Sequence, residues 1–129
     1  MSKTRYMLDA SALLALMLGE DGAEAVHAVL PNAQVSTVNL SEVIAKLQEK
    51  GVPNEVISST IAELDLDVVP FDRAQAVHAG LLRAHTRSYG LSLGDRACLA
   101  AAAAAGATAV TSDRAWSKLK TGVLIEVVR

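Results

Sequence analysis

Cysteine, aromatic side chains and long apolar runs are all scarce in this sequence, and each scarcity removes a class of protein. A single cysteine among 129 residues leaves no internal disulfide and fits a reducing compartment. Set in Ala97-Cys98-Leu99-Ala100, it reads as a buried, inert thiol rather than a nucleophile. Aromatics make up 3% of a chain that is 51% hydrophobic, so the core is built of Ala, Val, Leu and Ile. Such an interior suits helices packed closely on a sheet. No apolar run reaches the roughly 18 residues that span a bilayer. Asp9 interrupts the apolar stretch that follows Lys3 and Arg5, which argues against a signal peptide. A soluble, cytoplasmic protein without membrane contact is expected. His27, His78 and His85 stand alone on helical segments, so zinc-ligand spacing is missing too.

The length fits one domain, residues 1–129, with enough chain to bury a core. The net charge of −2 hides an asymmetry: residues 1–67 hold 4 Lys+Arg against 10 Asp+Glu (−6), and residues 68–129 hold 8 against 4 (+4). The basic second half suits a polyanionic partner, with scattered solvated charge as the plain alternative.

Hydrophobic patterning alternates between strands and helices. Strands are expected at 4–9, 34–37, 66–69, 108–111 and 123–128. Helices are expected at 11–18, 23–30, from Asn39 to Gly51, at 54–64, from Asp72 to about Tyr89, from Ser92 to Ala105 and at 113–119. In the helix after Asp72, Ala76, Val77, Leu81 and Ala84 are read as the inward face. This order predicts an α/β fold with a mainly parallel sheet covered on both faces.

Ligands of open α/β sheets bind outside the carboxyl ends of the strands. Asp9 and Asp113 directly follow predicted strands, and Glu42 lies in the first helical turn after another. Asp95 begins the helix that leads back to the strand ending at Thr111, and reaches the same edge only if residues 86–94 climb across. Each acid also has a local reading as a helix cap: Asn39-Leu40-Ser41-Glu42 and Ser92-Leu93-Gly94-Asp95 both have capping-box spacing. If the four meet, they require a cation, because two like charges ~4 Å apart repel by about 4 kcal/mol at an effective dielectric near 20. Oxygen ligands without His or Cys select Mg²⁺ or Mn²⁺ over Zn²⁺. A carboxylate-held Mg²⁺ is suited to phosphodiester hydrolysis and needs no side-chain nucleophile.

Leu8-Asp9-Ala10-Ser11-Ala12-Leu13, Asn39-Leu40-Ser41-Glu42-Val43, Leu91-Ser92-Leu93-Gly94-Asp95 and Thr111-Ser112-Asp113-Arg114-Ala115-Trp116 together resemble the PIN domain in order and spacing, from about residue 5 to the C-terminus. The compact length resembles the VapC-type toxins of toxin–antitoxin pairs. The resemblance implies a three-layer α/β/α sandwich whose five-stranded, mainly parallel sheet has the order 3-2-1-4-5. It also implies that Asp9, Glu42, Asp95 and Asp113 form a catalytic Mg²⁺ or Mn²⁺ site, with Ser11 and Thr111 orienting carboxylates or water. It further implies an endoribonuclease that cuts transfer or ribosomal RNA and arrests translation. A cognate VapB-type antitoxin and a homodimer are its expected partners. Some relatives carry a further acid after the last Asp; Ala115 and Trp116 stand there, which points to one well-held metal.

Arg83, His85, Arg87 and Arg96 flank the segment leading to Asp95, and Arg114, Lys118 and Lys120 follow Asp113. Arg83, Arg87, Arg96, Arg114 and Lys118 are the candidate RNA contacts. Trp116 is read as packing, with base stacking as the alternative. Two other readings compete. A haloacid-dehalogenase-like phosphatase needs a second Asp where Ser11 stands, and a receiver domain needs paired acids that are missing here. A catalytically inactive PIN-like module that binds a partner would show a missing acid, and all four are present.

Overall fold

The computed structural model describes residues 4–129; Lys3 lies outside them. Five strands form one parallel sheet: β1 (Tyr6–Leu8), β2 (Ala33–Ser36), β3 (Asp67–Val69), β4 (Thr108–Thr111) and β5 (Ile125–Val127). Their order is β3-β2-β1-β4-β5. Central β1 pairs Leu8 with Val35 on one side and with Val110 on the other. Successive strand residues point to opposite faces, and both faces of this sheet are buried. Leu8, Val35 and Val110 enter one apolar core, while Met7 and Ala109 enter a second on the reverse face. Two cores on one sheet make the expected three layers.

Seven helices supply the covering layers: α1 (Ala10–Leu18), α2 (Ala23–Val29), α3 (Thr37–Glu49), α4 (Asn54–Leu64), α5 (Arg73–Leu81), α6 (Arg83–Thr86) and α7 (Leu93–Ala105). Helices α1 to α4 bury Leu13, Val26, Val43, Leu47 and Ile57 against the first face. Helix α7 lies on the second, where Ala97, Cys98, Leu99, Ala100 and Ala102 are fully buried. Small side chains allow this helix to approach the strands closely. Gly106 ends it in a left-handed conformation at φ 62°, as its place after the alanine run predicts. Among the described residues no helix is long and apolar enough to cross a membrane.

Four expectations change. The continuous helix from Asp72 to Tyr89 is instead α5, α6 and a 3-10 turn over Arg87–Tyr89. Its inward face is Ala79, Leu82 and Thr86, all buried, whereas Val77 and Leu81 are 57% and 71% exposed, and Ala76 and Ala84 also face out. The neighbour decides between these two helical registers. Alanine-rich α7 leaves room for the small Ala79, and the buried Thr86 hydroxyl is satisfied by donating to Leu82 O at 2.8 Å. Helix α3 begins at Thr37, capped by Ser36, so Asn39 lies inside the first turn rather than at the cap. The segment after Asp113 is a 3-10 turn, Arg114–Lys118, instead of an α-helix.

Candidate active site

Asp9 leaves β1 at the carboxyl edge of the sheet and is 3% exposed. Its backbone is extended, and its Oδ1 caps α1 by accepting from Ala12 N at 2.8 Å. Ser11 Oγ donates to the same oxygen at 2.7 Å, and Thr111 Oγ1 donates to Oδ2 at 2.5 Å. Each hydroxyl has one proton, and both protons are committed to Asp9. As acceptors, Ser11 Oγ then takes Ser112 N and Thr111 Oγ1 takes Asp113 N, each at 3.0 Å. The peptide N–H groups after β4 are thus relayed through two hydroxyls onto one buried carboxylate.

That cage opposes burial without overcoming it. Burial raises the Asp9 pKa from 3.8 to about 6, against the lowering by Thr111, Ala12 and Ser11, while the charge of Asp95 adds to the rise. Burial likewise raises the Glu42 carboxyl, against its bond from Asn39, and Asp95 again pushes upward. Asp95 therefore acts on both acids. Its first helical turn does reach the carboxyl edge: Asn39 Nδ2 on α3 donates to Gly94 O on α7 at 3.0 Å and to Glu42 Oε1 at 2.9 Å.

The capping readings are also real. Asp95 and Ser92 form a complete capping box, with Ser92 N donating to Asp95 Oδ2 at 2.9 Å and Asp95 N to Ser92 Oγ at 3.1 Å. Asp113 caps the following turn through Ala115 N at 3.0 Å and stays exposed. Among the described residues no three His, Cys, Asp or Glu side chains are drawn close enough to hold a metal ion. The charge of Asp95 reaches both Asp9 and Glu42, and Asp113 is joined to Asp9 through its backbone N and the Thr111 hydroxyl. The donor set nevertheless fits a hard divalent cation: all its groups are carboxylates, and two of them are partly desolvated and raised in pKa.

The basic residues divide. Arg83, Arg87, Arg114 and Lys118 are exposed, and Tyr89 Oη donates to Lys118 O at 3.4 Å, tying the 87–89 turn to the 114–118 turn. Arg96 is only partly exposed, and its Nη1 donates to Ala79 O at 2.9 Å. That bond ties α7 to α5 through one of the five guanidinium donors. Trp116, 1% exposed within the second core, packs as expected and offers no stacking face. Cys98 is fully buried, and burial raises its thiol pKa, so it is inert at neutral pH.

Asn39 and Gly94 escape a reading of the sequence as parts of the site. The spacing of Asn39 and Glu42, three residues apart, places them on one helix face but fits a cap equally well. A glycine inside the first turn of a helix costs roughly 0.5–1 kcal/mol against alanine, which is itself a signal of close approach. Asn39 is 1% exposed, and its Oδ1 finds no donor among the described residues. A buried polar atom left so costs about 1–3 kcal/mol.

An all-parallel 3-2-1-4-5 sheet whose central strand delivers the buried Asp9 to its carboxyl edge defines an open α/β domain. The chain belongs to the PIN domain family, which matches residues 6–122. Solved structures share the fold. DNA-bound VapBC from Salmonella typhimurium has a TM-score of 0.76 at 20% identity, over 98% of this chain and 100% of that one. VapBC-1 from nontypeable Haemophilus influenzae has a TM-score of 0.72 at 22% identity, over 96% and 98%. VapC20 from Mycobacterium tuberculosis, a toxin that cleaves the sarcin-ricin loop, has a TM-score of 0.71 at 16% identity, over 87% and 92%. No curated protein matches the chain by sequence. PIN domains are nucleases and in general use divalent metal ions.

Proposed function

We propose that this chain is a metal-dependent endoribonuclease toxin of the VapC type, with residues 1–129 acting as one PIN domain. It hydrolyses phosphodiester bonds of transfer or ribosomal RNA in the cytoplasm, and a cognate VapB-type antitoxin neutralises it. The observation that carries this reading is Asp9: a buried carboxylate, raised to about 6, held by three donors and facing the field of Asp95. A fold does not require such an arrangement, since a buried charge is costly unless something positive meets it. The VapBC neighbours support the antitoxin, and the chain acts as a homodimer in this reading.

Asp9, Glu42 and Asp95 would hold Mg²⁺ or Mn²⁺, with Asp113 joining them. When bound, the metal lowers the pKa of a water, orients the phosphate and offsets charge on the leaving oxygen. Ser11 and Thr111 fix the Asp9 carboxylate and keep its two oxygens from turning. Arg83, Arg87, Arg114 and Lys118 hold phosphates on either side of the scissile bond and neutralise backbone charge without reading sequence. Arg96 joins that set through the donors that its bond to Ala79 O leaves.

Incubating total cellular RNA with antitoxin-free protein in Mg²⁺, Mn²⁺ or EDTA tests the proposal. Discrete fragments that require metal and vanish in folded Asp9→Asn and Asp95→Asn variants are expected. Folded wild-type protein that cuts no RNA in either metal would instead favour the inactive, partner-binding module.

A further inference from the structure

We propose that Gly94 and Asn39 are positioning residues that together seat the Glu42 carboxylate against the first turn of α7. The inference rests on the metal-nuclease reading above and deepens it. The grounds are steric and polar. A Cβ built on Gly94 would lie 2.6 Å from Glu42 Oε2 and closer still to Cδ and Oε1. The carboxylate therefore occupies the space that any other residue's side chain would need. Gly94 is buried, and its φ lies outside the left-handed region, so backbone conformation does not explain the glycine. Close approach does.

Asn39 closes the seat from the other side. Its Nδ2 reaches Glu42 Oε1 at 2.9 Å and Gly94 O at 3.0 Å. Two acceptors fix the amide orientation, because the flipped amide would set oxygen against both. One side chain on α3 thus binds both the carboxylate and the backbone on which that carboxylate rests. A leucine would fill the same buried position in the helix without leaving an unpaired Oδ1. What Asn39 adds is two donors, and both are spent at Glu42 and its seat. Asp95 follows Gly94 directly, so the seat also sets the spacing between the Glu42 and Asp95 carboxylates.

Gly94→Ala is the informative substitution. The atoms in its way are the far end of a flexible side chain, so Glu42 can swing aside and the chain still folds. Alanine also favours the helix. In the full-length, metal-free protein, NMR should show the Asn39 side-chain amide protons exchanging about tenfold faster in Gly94→Ala than in wild type, because a broken bond opens the site to solvent. Mn²⁺ affinity by calorimetry should fall about tenfold or more, the range for removing a group that orients a metal ligand, with cooperative thermal unfolding retained. Asn39→Leu should lose affinity similarly. In a Glu42→Gln background, Gly94→Ala should change Mn²⁺ affinity by less than about twofold, since its effect runs through the carboxylate. The seat is refuted if Asn39 exchange is unchanged in Gly94→Ala, or if the affinity loss persists undiminished in Glu42→Gln. If wild type binds no Mn²⁺ while the Asn39 protons are exposed by Gly94→Ala, the seat stands and the metal-nuclease reading fails.

Discussion

Replacing Asp9 by Asn should change how metal-free stability depends on pH, and the size of the change follows from the geometry. Burial holds the native Asp9 pKa at about 6, whereas the unfolded carboxyl titrates near 3.8. Between those values the native chain keeps a proton that the unfolded chain has released. Stability therefore falls as pH rises through that window. Each pH unit of displacement corresponds to about 1.4 kcal/mol, so the fall attributable to Asp9 is about 2–3 kcal/mol between pH 4 and pH 7.5. Asn cannot ionise, and its amide fits the cage, since Thr111 Oγ1 can accept where it now donates. Glu42, also raised by burial, titrates in both proteins and cancels in the comparison. Urea unfolding in EDTA at half-unit pH steps measures the difference. Wild type and Asp9→Asn should be of similar stability near pH 4 and diverge in favour of the variant toward pH 7.5. Saturating Mg²⁺ or Mn²⁺ at 100 times Kd should add about 2.7 kcal/mol to wild type and far less to the variant. Parallel curves from pH 4 to pH 7.5 would refute the reasoning, because Asp9 would then ionise as freely in the fold as outside it.

Thr111→Val removes the donor to Asp9 and the acceptor for Asp113 N together. It should cost about 1–3 kcal/mol in urea unfolding and move the pH-dependent fall to higher pH, with Thr111→Ser restoring most of both. Trp116→Ala should cost about 3–5 kcal/mol, as expected for a fully buried aromatic; a loss below about 1 kcal/mol would contradict its packing role. Replacing both Arg114 and Lys118 by Ala in an Asp9→Asn background should flatten the salt dependence of RNA binding by about 0.7 in log–log slope for each phosphate no longer neutralised. An unchanged slope would take both residues off the RNA face.

Which features can be read from the sequence follows from how local their causes are. The strand that delivers Asp9, the helix that begins after it and the glycine that ends α7 each depend on a few neighbouring residues, so pattern alone finds them. The outward set Ala76, Val77, Leu81 and Ala84 reads as inward because α5 has two helical stripes of comparable apolar character. Only the small-residue surface of α7, farther along the chain, selects Ala79, Leu82 and Thr86. Asn39 misleads for a similar reason. Its spacing to Glu42 suits a cap, but Ser36 already caps α3 through Val38 N, freeing Asn39 to reach Gly94, 55 residues on. The bond from Arg96 to Ala79 O is hidden in the same way, because its carbonyl partner on α5 leaves no trace in the sequence. The reach of Asp95 to the carboxyl edge comes from family resemblance, since no local pattern shows where residues 86–94 turn.

The Asp9 cage also says something about synthesis. Its N-cap bond and the Ser11 bond form within three residues, but the Thr111 bond spans 102. Strand β1 can pair with β2 while the chain is still growing, and must then wait with one edge open for β4. At roughly 5–20 residues per second, that wait lasts several seconds. Throughout it, Asp9 lacks the hydroxyl that anchors its second oxygen, and the first turn of α7 that presents Asp95 has emerged only shortly before. A nascent chain stalled before residue 111, or a product truncated there, would carry most of its helices without a finished carboxylate cluster. Strand β4 completes the Asp9 cage, and it leaves the ribosome after all seven helices described above.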